Sequence, residues 1–175
     1  IKQLGFSDFV YPGASHSRLS HSLGALQMAR RMLSVLTKNQ EIPAEDEQEF
    51  NLWQRATLCA ALLHDVGHGP FSHIFEGISK KLGIKVSHED FTLKIIKETE
   101  VADILSSNDE GLLKRTLSFF EEEPGCNIFS SIVTSELDAD RLDFLCRDRY
   151  FTGIRLGKID LEWLFDSLNL RHIHP

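Results

Sequence analysis

The sequence predicts an all-α protein, and three observations carry that prediction. Apolar residues recur at helical spacing through most of the chain. Alternating strand patterns are nearly absent, and there are no internal repeats. Polar loops separate the apolar stretches, so the helices are expected to fold back on one another as a bundle.

The elements follow in order. From Arg18 to Thr37, Leu19, Leu23, Leu26, Leu33 and Leu36 recur at helical spacing. Asn39 to Glu49 is acidic, contains Pro43 and has little to bury, so it is expected to be a solvated loop. Leu52 to Leu63 is almost wholly apolar and includes Ala56, Ala60 and Ala61, which suits a buried central helix. Gly67, Gly69 and Pro70 end it. Pro70 suits the first turn of the next helix, which carries Ile74, Phe75, Ile78 and Leu82. Ser87 with Asp90 marks a helix start ahead of Phe91, Leu93, Ile95 and Ile96. A further helix is expected from Glu110 to Glu123, closed by EEEPG. Ile128 to Arg149 forms a long helical stretch with a break near Asp138, and Asp160 to Leu170 gives the last helix. The whole, 1–175, reads as one domain.

The bulk composition narrows the function. With 42% hydrophobic and 26% charged residues the chain is ordinary globular protein. Its formal charge of −7 disfavours nucleic acid as a main partner, because such binding needs a basic face. An anionic substrate would need a locally inverted field, and a bound cation is the simplest source of one. Cys59, Cys126 and Cys146 form no C-x-x-C pair and read as reduced thiols in helices, which points to the cytoplasm. No apolar run approaches the roughly 20 residues of a membrane span, so no membrane partner is expected. The chain opens at Ile1 without methionine and reads as a fragment; His172 and His174 are given no role.

The chemistry is concentrated in LHDVGHG, where His64 and Asp65 stand side by side as an apolar helix runs into glycines. Neighbours on a regular helix point about 100° apart, but at a helix end both can turn toward one cavity. A His nitrogen beside an Asp oxygen suits a divalent metal. His21 in SRLSHSLG and Asp140 in SELDADRLDF would complete a set. Burying Asp65 without compensation would be costly, and a metal would remove that cost. Asp138, Asp140 and Asp143 crowd one segment; for some of them a solvated acidic face is the alternative. His68, His73 and His88 are each either helix-terminal hydrogen-bonding groups or proton donors and clamps near a phosphate. Zinc-protease, zinc-knuckle and serine-nucleophile patterns are absent.

The order His21, His64–Asp65, Asp140 resembles the HD superfamily of metal-dependent phosphohydrolases. The likeness is closer to its deoxynucleoside-triphosphate triphosphohydrolases, and it is carried by IKQLGFSDFVYPGASHSRLSHSLG, LLHDVGHGPFSHIFE and ELDADRLDFLCRD. It implies an HD-domain helical bundle with His21, His64, Asp65 and Asp140 holding one divalent ion, whether Mn²⁺, Fe²⁺, Ni²⁺, Mg²⁺ or Zn²⁺. It implies that Gln3 and Leu4 meet the deoxyribose, that Asp148 lies near its 3′-hydroxyl, and that Arg18, His68 and His88 contact phosphates. His68 is also assigned to the catalytic group. His73 would be the catalytic histidine, oriented by Glu76. Such enzymes hydrolyse a dNTP by metal-activated water attack at the α-phosphorus, releasing deoxynucleoside and tripolyphosphate. They are homo-oligomers, and the second part of their catalytic domain would lie beyond this sequence. Phe144 departs from the pattern, standing where a vertebrate member carries a tyrosine. The alternatives are another HD-type nucleotide phosphodiesterase or monophosphatase, or a regulatory module that binds nucleotide without turnover. The alarmone hydrolases, whose HD is followed by an acidic pair, fit less well, because Val66, Gly67 and His68 stand there instead.

Overall fold

The computed structural model describes residues 1–38, 43–71, 73–83, 86–121, 127–155 and 157–169; the side chains of His73 and Asn108 lie outside that description. Among the described residues the regular structure is helical: α1 (Arg18–Thr37), α2 (Glu47–Leu63), α3 (His73–Lys81), α4 (His88–Glu98), α5 (Glu100–Asn108), α6 (Leu112–Ser118), α7 (Ile128–Val133), α8 (Ala139–Thr152) and α9 (Leu161–Ser167). A short 3-10 turn spans Ser7–Phe9, and one antiparallel bridge joins Lys2 to Ser17. The all-α expectation holds.

Helix α1 is central. It packs against α2 on one side and α8 on another, and touches α7 and α9. Alanines make the close approach possible: Ala25 and Ala29 on α1, and Ala56 and Ala60 on α2, are fully buried. Met32, Leu33, Ile96, Leu112, Ile132 and Leu142 extend the same core into the other helices. A large-to-small change among these would cost about 2–5 kcal/mol.

Local chemistry sets the helix starts. Ser17 accepts a hydrogen bond from Ser20 N and begins α1. Ser87 and Asp90 form a reciprocal capping box at α4, and Asn127 and Ser130 form another at α7. Asp138 accepts from Arg141 N at 2.8 Å and starts α8, so the expected break near Asp138 is a capped helix boundary.

Several boundaries differ from expectation. Helix α2 begins at Glu47 inside the expected loop, because Glu47 and Glu49 in its first turn suit the positive end of the helix dipole. Residues 39–42 lie outside the described set. Helix α3 begins at His73, not Pro70, because Phe71 adopts a left-handed backbone (φ 63°) that no right-handed helix contains. Helix α5 was not anticipated; Thr99 caps it immediately after α4. Helix α6 is shorter than Glu110–Glu123, since Gly111 turns left-handed (φ 90°) at its start. Helix α9 stops at Ser167, and Leu170 lies outside the described residues. Cys59 and Cys146 are free thiols; Cys126 is not among the described residues. Among the described residues no helix is long and apolar enough to cross a membrane.

Candidate active site

Three elements bring the expected donor set together. His21 comes from the first turns of α1, His64 and Asp65 from the end of α2, and Asp140 from the first turn of α8. Nε2 of His21 lies 2.9 Å from Asp140 Oδ1, 3.2 Å from His64 Nε2 and 3.7 Å from Asp65 Oδ2. Nε2 of His64 lies 3.4 Å from Asp65 Oδ1 and 3.5 Å from Asp140 Oδ1.

The far nitrogens of both rings are already committed. Nδ1–H of His64 donates to Ala61 O at 2.8 Å, and Nδ1–H of His21 donates to Asp143 Oδ2 at 2.8 Å. That leaves Nε2 of each ring facing the carboxylates. Ligand atoms of His21, His64 and Asp140 all lie within 4.8 Å of one another; two imidazoles with fixed tautomers and a carboxylate, with Asp65 beside them, fit a divalent cation of borderline hardness.

Electrostatics agree with a crowded ionic site. Burial disfavours the charged His21 ring, but Asp140, Asp143 and Asp65 outweigh it and push its pKa up from 6.5 to about 9. His64 moves the same way: burial opposes the charge, and Asp140 and Asp65 prevail. Burial alone would raise Asp140, yet the two histidines hold it well below the usual carboxylate range.

Asp65 is also paired with Arg18, a side chain of the first turn of α1. The charge of Asp65 is therefore compensated without a metal, and the burial-cost argument from sequence loses its force. The convergence of the Nε2 atoms and carboxylates is the better support for a cation.

The acidic segment divides by role. Asp138 is buried and caps α8; burial raises its pKa. Asp143 is buried behind His21 and bound in two places by Arg147, at 2.7 and 2.9 Å. The solvated acidic face is thus wrong for both.

A second group stands beside the first. His68 Nε2 is 3.4 Å from Asp65 Oδ1, and its ring stacks on His88 with centroids 4.0 Å apart. Glu76 Oε1 receives both the His88 Nδ1–H, at 2.6 Å, and the His88 backbone N–H, at 3.1 Å. Glu76 therefore fixes the start of α4 as well as a ring. Donor atoms of His68, Glu76 and His88 all lie within 4.8 Å of one another. The side chain of His73 is outside the described residues.

Gly67 makes this arrangement possible. A Cβ there would stand 2.2 Å from His88 O and 2.3 Å from Thr92 N, so the turn after Asp65 lies directly on the α4 backbone. Thr92, fully buried, clasps the two: its hydroxyl accepts from Gly67 N at 3.1 Å and donates to His64 O at 3.3 Å.

A cavity of about 670 Å³ opens over the cluster. Arg18, Asp65, His68 and Asp140 line one part of its wall; Gln3, Leu4, Phe144 and Asp148 also line it. Phe71 stacks on Phe6 at the same wall, centroids 4.6 Å apart.

The HD domain family matches residues 18–143, from Arg18 to Asp143. This chain belongs to the HD domain family. Among its relatives, an uncharacterized Bacillus subtilis protein, YwfO, is 40% identical over 163 residues, which are 93% of this chain and 35% of that protein. The deoxynucleoside triphosphate triphosphohydrolase SAMHD1 of Bos taurus is 44% identical over 188 residues, covering 89% of this chain and 31% of that protein. A crystal structure of a phosphohydrolase from Bacteroides thetaiotaomicron matches with a TM-score of 0.76 and 35% identity, over 98% of this chain and 39% of that one. The chain thus spans only about a third of the curated relatives' length.

In this HD-domain chain, sequence reasoning missed Thr92 and His16 and left Asp143 undivided from its acidic neighbours. Asp143 had a signal: it stands three residues after Asp140 and four before Arg147, so its charge had a helical partner. Thr92 and His16 had none, because their side chains bond to residues 25 or more positions away in sequence.

Proposed function

We propose that this HD domain forms the catalytic core of a deoxynucleoside triphosphate triphosphohydrolase, cleaving a dNTP to deoxynucleoside and tripolyphosphate. The observation that carries this reading is one cavity whose wall holds Asp65 and Asp140, the two carboxylates of the donor set, together with Gln3, Leu4 and Asp148. Triphosphate and sugar can then be held together, with the α-phosphorus near His21, His64, Asp65 and Asp140. The likeness to SAMHD1 points to the same substrate class.

A divalent ion bound by those residues would supply Lewis-acid polarisation and lower the pKa of a nearby water. The chain's own groups do the rest. Arg18, His68 and His88 offer cationic or hydrogen-bonding contacts to phosphate oxygens. Such transfer depends on positioning and charge stabilisation and requires no covalent nucleophile. Water adds to the α-phosphorus as the bond to the 5′-oxygen breaks, and His73, with Glu76 as its orienting acid, protonates that oxygen. Leu4 packs against C2′, while Gln3 and Asp148 bond the 3′-hydroxyl. The second part of the nucleotide pocket, and the homo-oligomer, would come from the rest of a longer protein.

The test uses the full-length protein with dNTP and Mn²⁺ and identifies the phosphate product. Tripolyphosphate with free deoxynucleoside is expected. Inorganic phosphate or a nucleoside monophosphate would move the protein to another HD activity, and no product would make it a binding module.

A further inference from the structure

His16 occupies the loop between Gly13 and the cap of α1, and its side chain is 1% exposed. It does two things at once. Its ring Nε2–H donates to Asp148 Oδ1 at 2.7 Å, reaching across to α8. Its backbone carbonyl accepts from Gln3 N–H at 3.0 Å, beside the bridge that joins Lys2 to Ser17. The ring is seated on Phe151, centroids 4.7 Å apart.

Gln3 and Asp148 come from opposite parts of the chain, and both line the cavity. Gln3 Oε1 is buried without a hydrogen-bond partner among the described residues, as is His16 Nδ1. A hydroxyl offers one hydrogen and two lone pairs, so it can accept from the amide N–H of Gln3 while it donates to a carboxylate. With Oδ1 of Asp148 taken by His16, Oδ2 remains to accept from a ligand hydroxyl.

We infer that His16 is a positioning residue for sugar recognition, holding Gln3 by its main chain and Asp148 by its side chain so that the two converge on one hydroxyl. This rests on the sugar reading above and names a residue which that reading does not use. A purely structural His16 would tie the loop to α8, and its loss would slow every substrate alike. A positioning His16 changes the ratio between a substrate that has the 3′-hydroxyl and one that lacks it.

The experiment measures kcat/KM for a 2′-deoxy and a 2′,3′-dideoxy triphosphate of one base, using the Mn²⁺-loaded full-length protein. Rejection of a substrate missing a bonded hydroxyl can reach about 10⁴-fold, which is the expected wild-type ratio. His16→Phe keeps a ring to stack on Phe151 and removes the donor. Because misplacing a contact by about 1 Å can cost about 10²-fold, the ratio should fall by about that factor, through the deoxy substrate alone. His16→Gln, whose amide N–H can reach Asp148, should retain most of the ratio, and this comparison with His16→Asn, which is too short, decides the matter if the Phe variant does not fold. A ratio unchanged in His16→Phe, or equal in the Gln and Asn variants, overturns the inference and leaves His16 structural. A wild-type ratio near one overturns the sugar roles of Gln3 and Asp148 themselves, and the inference with them.

Discussion

Asp143 stands 2.8 Å from Nδ1 of His21, at the opposite edge of the ring from the nitrogen that faces Asp140, and Arg147 holds it there with two hydrogen bonds. A carboxylate in that place sets the tautomer and raises the basicity of the imidazole as a ligand. Burial would lift Asp143, but His21 and Arg147 keep it below the ordinary carboxylate range, so it is ionised at neutral pH.

Asp143→Asn should therefore weaken divalent metal binding by about 10–100-fold without removing a ligand. Titration of the metal-stripped variant with Mn²⁺ measures this directly. Wild-type affinity in a folded Asp143→Asn protein would show that Asp143 only anchors Arg147.

Metal affinity should rise with pH. A cation must displace the proton from His21, whose pKa is pushed up to about 9. The stripped protein should show the opposite trend. Its folded state holds that proton more tightly than the unfolded chain, with pKa 6.5. The resulting stability is complete below 6.5 and is lost as pH rises through about 9. Thermal melts in chelator across that window, against melts in Mn²⁺, should diverge as pH increases. Parallel curves would mean that His21 is not the proton's holder.

Gly67→Ala should damage catalysis more than metal binding. The added methyl meets backbone of α4, which a rotamer change cannot relieve. Overpacking of this kind costs about 1–3 kcal/mol. Yielding would displace α4 and the His68–His88 stack, while His21 and Asp140 lie on other helices. A variant with normal turnover would show that α4 is free to shift without consequence.

His73→Ala should lower turnover by about 10²–10⁴-fold with metal still bound, as expected for loss of a positioned proton donor. His88 is the rival, because Glu76 already grips its Nδ1. Comparing the two alanine variants at saturating substrate separates them. If His73→Ala is nearly active and His88→Ala is not, the donor is His88.

Much of this was legible in the chain. The helical spacing of its leucines marks α1, although Leu19 and Leu23 are exposed and its buried face is carried by His21, Ala25, Ala29, Met32 and Leu33. Asp138 announces the break before α8 because a short acid before a helical run caps it. The convergence of His21, His64 and Asp140 follows from their places in the first or last turns of three helices, where side chains can meet. What sequence could not show are the long-range attachments. The salt bridge of Arg18 to Asp65, the grip of Glu76 on His88 and the bond of His16 to Asp148 depend on how helices cross, not on local periodicity. The start of α2 escaped notice because its first turn is acidic and exposed, with no apolar stripe to betray it.

The bridge from Lys2 to Ser17 has a consequence for evolution. The metal-type donors sit on helices locked together by the core, whereas Gln3 and Leu4 ride on an arm outside it, fastened by that bridge and its neighbouring hydrogen bonds. Mutations in the arm leave the helical cage intact. A substitution there can reshape the cavity wall at Gln3 and Leu4 like a changed bit on a fixed handle, with the helices that carry His21, His64 and Asp140 still packed as before.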